Sequence, residues 1–230
     1  MPFAKQELVE LYRKRSHWYD FTANLYYLIG FREWFYRKQA VAALNLQSGD
    51  SVVEIGCGTG LNFSLLEREV GSSGRIIGVD LTDAMLDQAQ KRIDQSGWSN
   101  VELVHCDASD YEFPDEVNGI ISTFALTLSP DYDAVIRRGA EALAPKGRFV
   151  VADLKLPTGW SGKLLPLLLP IFRPFGVTKD LQNRHPWESI ERYLDDATIK
   201  ETYFGYTYVS AGTKRGGRVD SSSDDRRNDS

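Results

Sequence analysis

Residues 53–60, Val-Glu-Ile-Gly-Cys-Gly-Thr-Gly, constrain this chain more than any other stretch. They continue a strand-like run from Ser51 and precede a helical pattern, Leu61-Asn62-Phe63-Ser64-Leu65-Leu66. Glycines at alternate positions between a strand and a helix let the backbone approach a ligand and take conformations closed to residues with a Cβ. Glu54 separates the run from a dinucleotide cradle. A pyrophosphate at a helix N-terminus is ill served by a neighbouring carboxylate, whereas a cationic or amine-bearing ligand is well served. The spacing G-x-G-x-G also departs from the G-x-G-x-x-G of nicotinamide-binding domains, in which Glu54 has no role.

Further strand-like runs follow in order. Arg75-Ile76-Ile77-Gly78-Val79 ends in Asp80, twenty residues after Gly60 and placed to accept hydrogen bonds from ribose hydroxyls. Val101 to Ala108 alternates and ends in an acid, Asp107. Gly119 to Phe124 reads as a fourth strand, a helix is expected at about 130–143, and Pro145-Lys146-Gly147-Arg148 turns into a fifth strand, Phe149 to Leu154. Taken singly, Asp80 and Asp107 read as well as helix N-caps or loop acids. Four strand tips in this order over about 100 residues read as one cofactor cleft.

With Glu54 ahead of Gly56, Gly58 and Gly60, the first turn resembles the opening motif of the class I S-adenosylmethionine (SAM) methyltransferases, E/D-x-G-x-G-x-G. The resemblance implies an α/β fold: a Rossmann-like, seven-stranded, mostly parallel sheet with helices on both faces and an N-terminal helical lid. It implies SAM as cofactor, S-adenosylhomocysteine as product, and no metal. The cofactor-binding positions it implies at the first turn are Glu54, Gly56, Cys57, Gly58, Thr59, Gly60 and Asn62. Asp80, Leu81 and Met85 follow the second strand, Asp107 and Ala108 flank the adenine, and Thr123 closes the fourth strand. Cys57 reads as a small turn residue rather than a nucleophile.

A chain of 230 residues can bury a core without disulfides or metals. Its net charge of −5 argues against a nucleic-acid groove. The only cysteines, Cys57 and Cys106, fit a reducing compartment, and His17, His105 and His185 lie too far apart for a metal-ligand cluster. The first ten residues are charged and lack the apolar core of a signal peptide, so the expected location is cytoplasmic or peripheral at the inner membrane face. The expected parts are an N-terminal helical cap (1–47), a SAM-binding core (48–155), an apolar insertion with the last two strands (156–211) and a disordered tail (212–230). Those last strands are expected at Thr198–Phe204 and Gly205–Ala211.

Recognition of the methyl acceptor falls to the segments outside the strand tips. Tyr19-Asp20 resembles the Tyr-Asp pair of lipid and quinone methyltransferases, whose N-terminal helix closes over the cofactor. The stretch from Tyr12 to Asp20, followed by Leu25-Tyr26-Tyr27-Leu28-Ile29-Gly30, resembles the opening of bacterial methyltransferases that build betaine-lipid head groups. Tyr19 is the first candidate catalytic residue, with His17, Asp20 and Tyr27 behind it. Residues 160–175 are apolar between Trp160, Lys163 and Arg173, too short and proline-broken to span a bilayer, and suited to a membrane interface or a buried lid. The chain also resembles the ubiquinone/menaquinone C-methyltransferases, from Tyr19-Asp20 to Asp153-Leu154-Lys155. Those enzymes carry an Arg-Asn pair after the fourth strand, where this chain has Thr127 and Leu128. The leading expectation is therefore transfer to a heteroatom, an amine above all, of a small amphipathic or lipid-like acceptor. Carbon methylation of a prenylated quinone is the alternative, and a non-enzymatic SAM-fold module is disfavoured by the unspoiled motif.

Overall fold

The computed structural model describes residues 9–10, 12–14, 32–155 and 183–215. Helix α1 (Glu33–Leu44) leads into strand β1 (Ser51–Ile55), followed by α2 (Phe63–Val70), β2 (Arg75–Asp80), α3 (Asp83–Ser96) and β3 (Val101–His105). Then come β4 (Val117–Thr123), α4 (Tyr132–Ala142), β5 (Leu143–Leu154), α5 (Pro186–Tyr193), β6 (Asp195–Thr202) and β7 (Thr207–Thr213). The seven strands form one sheet in the order β3-β2-β1-β4-β5-β7-β6, in which β7 alone runs opposite to the other six. This is the Rossmann-like, mostly parallel sheet that the glycine motif implied. Strand order reverses between β1 and β4, the point at which open α/β sheets leave a crevice beyond their carboxyl ends.

Central strands of a parallel sheet are covered on both faces and so read as nearly continuous apolar runs. Val52 faces one core with Leu44, Phe63, Leu66 and Ala89, while Val53 and Ile55 face the other with Val135, Ile136, Phe149 and Ile190. Strand alternation puts Glu54 on the same face as Val52, beneath α1 and α2. Helices present matching stripes: Met85, Leu86, Ala89 and Ile93 on α3, and Val135, Ile136, Gly139 and Ala140 on α4. Asn45 and Gly97 end α1 and α3 in the left-handed conformation expected of such C-terminal residues.

The C-terminal part departs from the sequence reading. Helix α5 was not expected. Pro186 opens it at a position where its missing N–H costs nothing, and Asp133 of α4 fastens it. That carboxylate accepts from Ser189 Oγ (2.6 Å), Arg192 Nη1 (2.9 Å) and Tyr193 Oη (2.8 Å). The last two strands are offset from their expected ranges, because the connection falls at Tyr203–Gly205, where Tyr203 and Phe204 take positive φ. Gly212 and Thr213, expected in the tail, belong to β7. Gly212 pairs with Phe149 inside β7, and a Cβ there would stand 2.6 Å from Leu194 Cβ, so the glycine admits the packing of Leu194. The expected turn at residues 145–148 lies within β5, where the register with β4 shifts between Val117 and Gly119. Residues 160–175 lie outside the described residues. Among the described residues no helix is long and apolar enough to cross a membrane, and no cluster of His, Cys, Asp and Glu could hold a metal ion.

Candidate active site

A cavity of about 380 Å³ opens at the carboxyl ends of β1, β2, β3 and β4. Its floor is the turn after β1. Gly56 has φ +68°, and a Cβ there would collide with Ala125, so the β1 and β4 loops touch only through a glycine. Gly58 has φ +55° with nothing within 4 Å of a hypothetical Cβ, and it lies on the cavity wall. Any side chain at Gly58 would project into space kept for a ligand.

Asp80 fastens this turn to the next loop. Its Oδ2 accepts from the Gly58 amide and its Oδ1 from the Thr82 amide, both at 2.8 Å. Burial pushes its pKa up, opposed by those two amides. Asp107 Oδ1 accepts from the amide (2.8 Å) and hydroxyl (2.7 Å) of Ser109. Arg92 Nε donates to Thr59 O at 2.9 Å, and Arg138 Nη2 donates to Ala108 O at 3.0 Å. The first three strand-tip loops are thus held by charged side chains acting on backbone, which leaves their shape little freedom.

The β4 tip is built differently. Thr123 Oγ1 accepts from Arg37 Nη1 (2.6 Å) and from Asn62 Nδ2 (2.9 Å). Asn62 Nδ2 also donates to Glu54 Oε1 (2.6 Å), and Asn62 Oδ1 accepts from Arg37 Nη1 (3.2 Å). Arg37 is held along its other edge by Glu33, one turn back in α1, with Nε 2.8 Å and Nη2 2.5 Å from Oε1. Glu54 is fully buried, and its Oε2 has no hydrogen-bond partner. Burial, eased by Arg37 and Asn62 and worsened by Asp80, pushes its pKa up to about 8.

Among the positions singled out from sequence, Gly56, Cys57, Gly58 and Thr59 lie on the cavity wall. So do Asp80, Leu81 and Met85 on one side, and Asp107, Ala108 and Thr123 on the others. Glu54 and Asn62 stand behind the wall and shape it through Thr123, and Gly60 is needed for packing, since its Cβ would meet the Phe63 ring at 2.5 Å. Burial, then Asp80 and Glu54, raise the Cys57 thiol well above its ordinary value, which suits an inert turn residue and not a thiolate nucleophile. Tyr19, with His17, Asp20 and Tyr27, lies outside the described residues.

Among the wall residues that the sequence reading did not single out are Val9, Arg37 and Arg184, and Tyr12 was singled out only as part of the Tyr12–Asp20 stretch. Val9 and Tyr12 bring the N-terminal stretch onto the cavity, where Arg13 pairs with Asp83 through bonds of 3.1 and 2.8 Å. Arg37 had a signal. It falls on the stripe of Tyr36, Ala40, Val41 and Leu44, where a charge spaced four residues from Glu33 marks a buried ion pair. Arg184 had none, because its contact is with backbone 56 residues away.

The residues present fit SAM. Gly58 borders open space, Asp80 and Asp107 put carboxylates on the cavity wall, and Glu54 Oε2 lies without a partner behind it. The family model for a methyltransferase domain matches residues 52–147. A demethylmenaquinone methyltransferase from Staphylococcus saprophyticus is 27% identical over 224 residues, covering 93% of each chain. Another from Listeria monocytogenes serotype 4a is 27% identical over 190 residues, covering 79% of this chain and 80% of its own. The fold is shared with a geranyl diphosphate C-methyltransferase from Streptomyces coelicolor, solved with Mg2+, geranyl diphosphate and S-adenosylhomocysteine. That likeness has a TM-score of 0.60 at 17% identity and covers 78% of each chain.

Proposed function

The chain being a class I SAM-dependent methyltransferase, we propose that its acceptor is a prenylated quinone or related lipid-like ring, methylated on carbon. The observation that carries this reading is the relation to demethylmenaquinone methyltransferases, which runs over 93% of both chains. The cavity wall after β4 is consistent with it: Phe124, Ala125, Leu126, Leu128 and Pro130 offer an apolar surface to a flat ring. When bound, SAM supplies an electrophilic methyl on a sulfonium centre. What the chain then contributes is positioning and exclusion of water. Asp80, Asp107 and the Gly56–Gly58 turn would hold the cofactor, and the Arg37–Thr123–Asn62 network fixes the β4 tip. Tyr19 is proposed to close over the cofactor, and residues 160–175 to meet the membrane that carries such an acceptor.

A second reading, transfer to a head-group amine or other heteroatom, rests on Thr127 and Leu128. They stand where the resembling quinone enzymes carry Arg and Asn. The Thr127 side chain is fully buried and off the cavity wall, and Leu128 on the wall offers no polar group. One assay separates the readings. The purified protein is given methyl-labelled SAM with vesicles containing demethylmenaquinol or phosphatidylethanolamine. Label on the ring carbon supports the first reading, label on the amine replaces it with the second, and label on neither removes both acceptors.

A further inference from the structure

Four charged side chains stand on the cavity wall among the described residues: Arg37, Asp80, Asp107 and Arg184. Three are answered from within the chain. Asp80 receives two amides, Asp107 receives Ser109, and Arg37 faces Glu33. Arg184 differs. Its Nη1 donates to Thr127 O and Leu128 O, each at 2.7 Å, and no carboxylate among the described residues pairs with it. Two neutral carbonyls fix the plane of the guanidinium without cancelling its charge, and the Nε and Nη2 hydrogens have no acceptor among the described residues. A permanent, half-buried cation therefore stands on the same cavity wall as Leu126, Leu128 and Pro130, held by neutral carbonyls alone.

We propose that Arg184 holds an anionic oxygen of the methyl acceptor. The inference rests on the ring-carbon reading given above. A ring carbon becomes nucleophilic when a neighbouring hydroxyl ionises, its proton going to bulk water and its charge spreading onto the ring. A guanidinium at that oxygen favours the ionised form. Arg184 sits on the backbone of Thr127 and Leu128, the two positions whose side chains lack the expected Arg and Asn. The cation is thus delivered to the same loop from a segment far along the chain. The cofactor's own carboxylate would have a different partner. Thr123 lies on the wall with both hydroxyl lone pairs taken by Arg37 and Asn62, so its O–H is left to donate, and Arg37 stands behind it.

The test uses the full chain saturated with S-adenosylhomocysteine and two probes: 2-hydroxy-1,4-naphthoquinone, ionised at neutral pH, and uncharged 1,4-naphthoquinone. Calorimetric titration of the wild type should favour the anion by about ten- to a hundredfold, the range of one charge-assisted hydrogen bond. Arg184→Met should lose that preference and Arg184→Lys should keep part of it, with SAM affinity unchanged in both. Equal binding of the two probes by wild type and Arg184→Met overturns the assignment of Arg184 while leaving the ring reading in place. Loss of SAM affinity in Arg184→Met and Arg184→Lys also overturns it, since the cation would then serve the cofactor. Failure of the wild type to bind either probe removes the ring acceptor, and this proposal with it.

Discussion

After β1 and β2, the groups around the cavity find their partners inside the chain: Asp80 receives the Gly58 and Thr82 amides, Arg92 donates to Thr59 O, and His105 Nε2 lies 2.9 Å from Leu81 O. On the other side of the cleft, Arg184 rests on two neutral carbonyls, and no carboxylate among the described residues pairs with it. The buried polar atoms without a hydrogen bond do not divide in the same way: Glu54 Oε2 lies behind the β1 turn and the Ser122 hydroxyl lies in β4, both off the cavity wall. The difference is one of charge. On the β1 and β2 side the chain answers its own charged groups, and on the far side it leaves one cation. We read the first side as the cofactor's and the second as the acceptor's.

The largest effect expected from this contrast is at the cofactor's side. Gly58→Leu should lower SAM affinity by about a hundredfold or more in calorimetry, because the side chain enters the cavity, while the fold persists at a cost of about 1–2 kcal/mol for the left-handed backbone. Undiminished affinity would break the assignment of that side to the cofactor.

Glu54 gives a pH signature next in size. Its folded pKa of about 8 lies above its unfolded value near 4.3, so between those limits the folded state holds the extra proton. Stability should therefore fall as pH rises through that window, by an amount on the order of a few kcal/mol. Melting temperatures of the unliganded protein should decline from pH 5 to pH 8.5, and Glu54→Gln should show a shallower decline. Parallel curves would contradict a buried carboxyl with a partner on one oxygen only.

Asp133→Ala, far from the cofactor, should cost about 1–3 kcal/mol in denaturant midpoint by releasing the Ser189, Arg192 and Tyr193 bonds, with SAM affinity unchanged. Arg75→Ala removes an exposed pair with Glu102 and should stay within about 1 kcal/mol on the same scale.

The same contrast explains what the sequence disclosed. The β1 to β3 tips were legible because their function is carried by backbone: glycines at fixed spacing and acids at strand ends leave a local pattern, and Asp80 and Asp107 reach the cavity as expected. Glu54 was legible as unusual, but its placement behind the wall depends on Asn62 turning inward instead of capping α2. Arg184 was not legible, since it acts on carbonyls of a loop distant in sequence. Helix α5 was missed because its docking residue, Asp133, belongs to another helix. The offset of β6 and β7 follows from Tyr203 and Phe204, which take positive φ ahead of Gly205, so the turn starts two residues before its glycine.

Hydrogen exchange with and without SAM tests the central claim most directly. Protection should rise at Gly56–Thr59, at Thr82 and at the amides of residues 107–109 and 123–125. The α4–α5 contact around Asp133 and the β6 edge should exchange as before. Protection confined to the β5–β7 side, or none anywhere at saturating SAM, would contradict the division of this cleft into a cofactor half and an acceptor half.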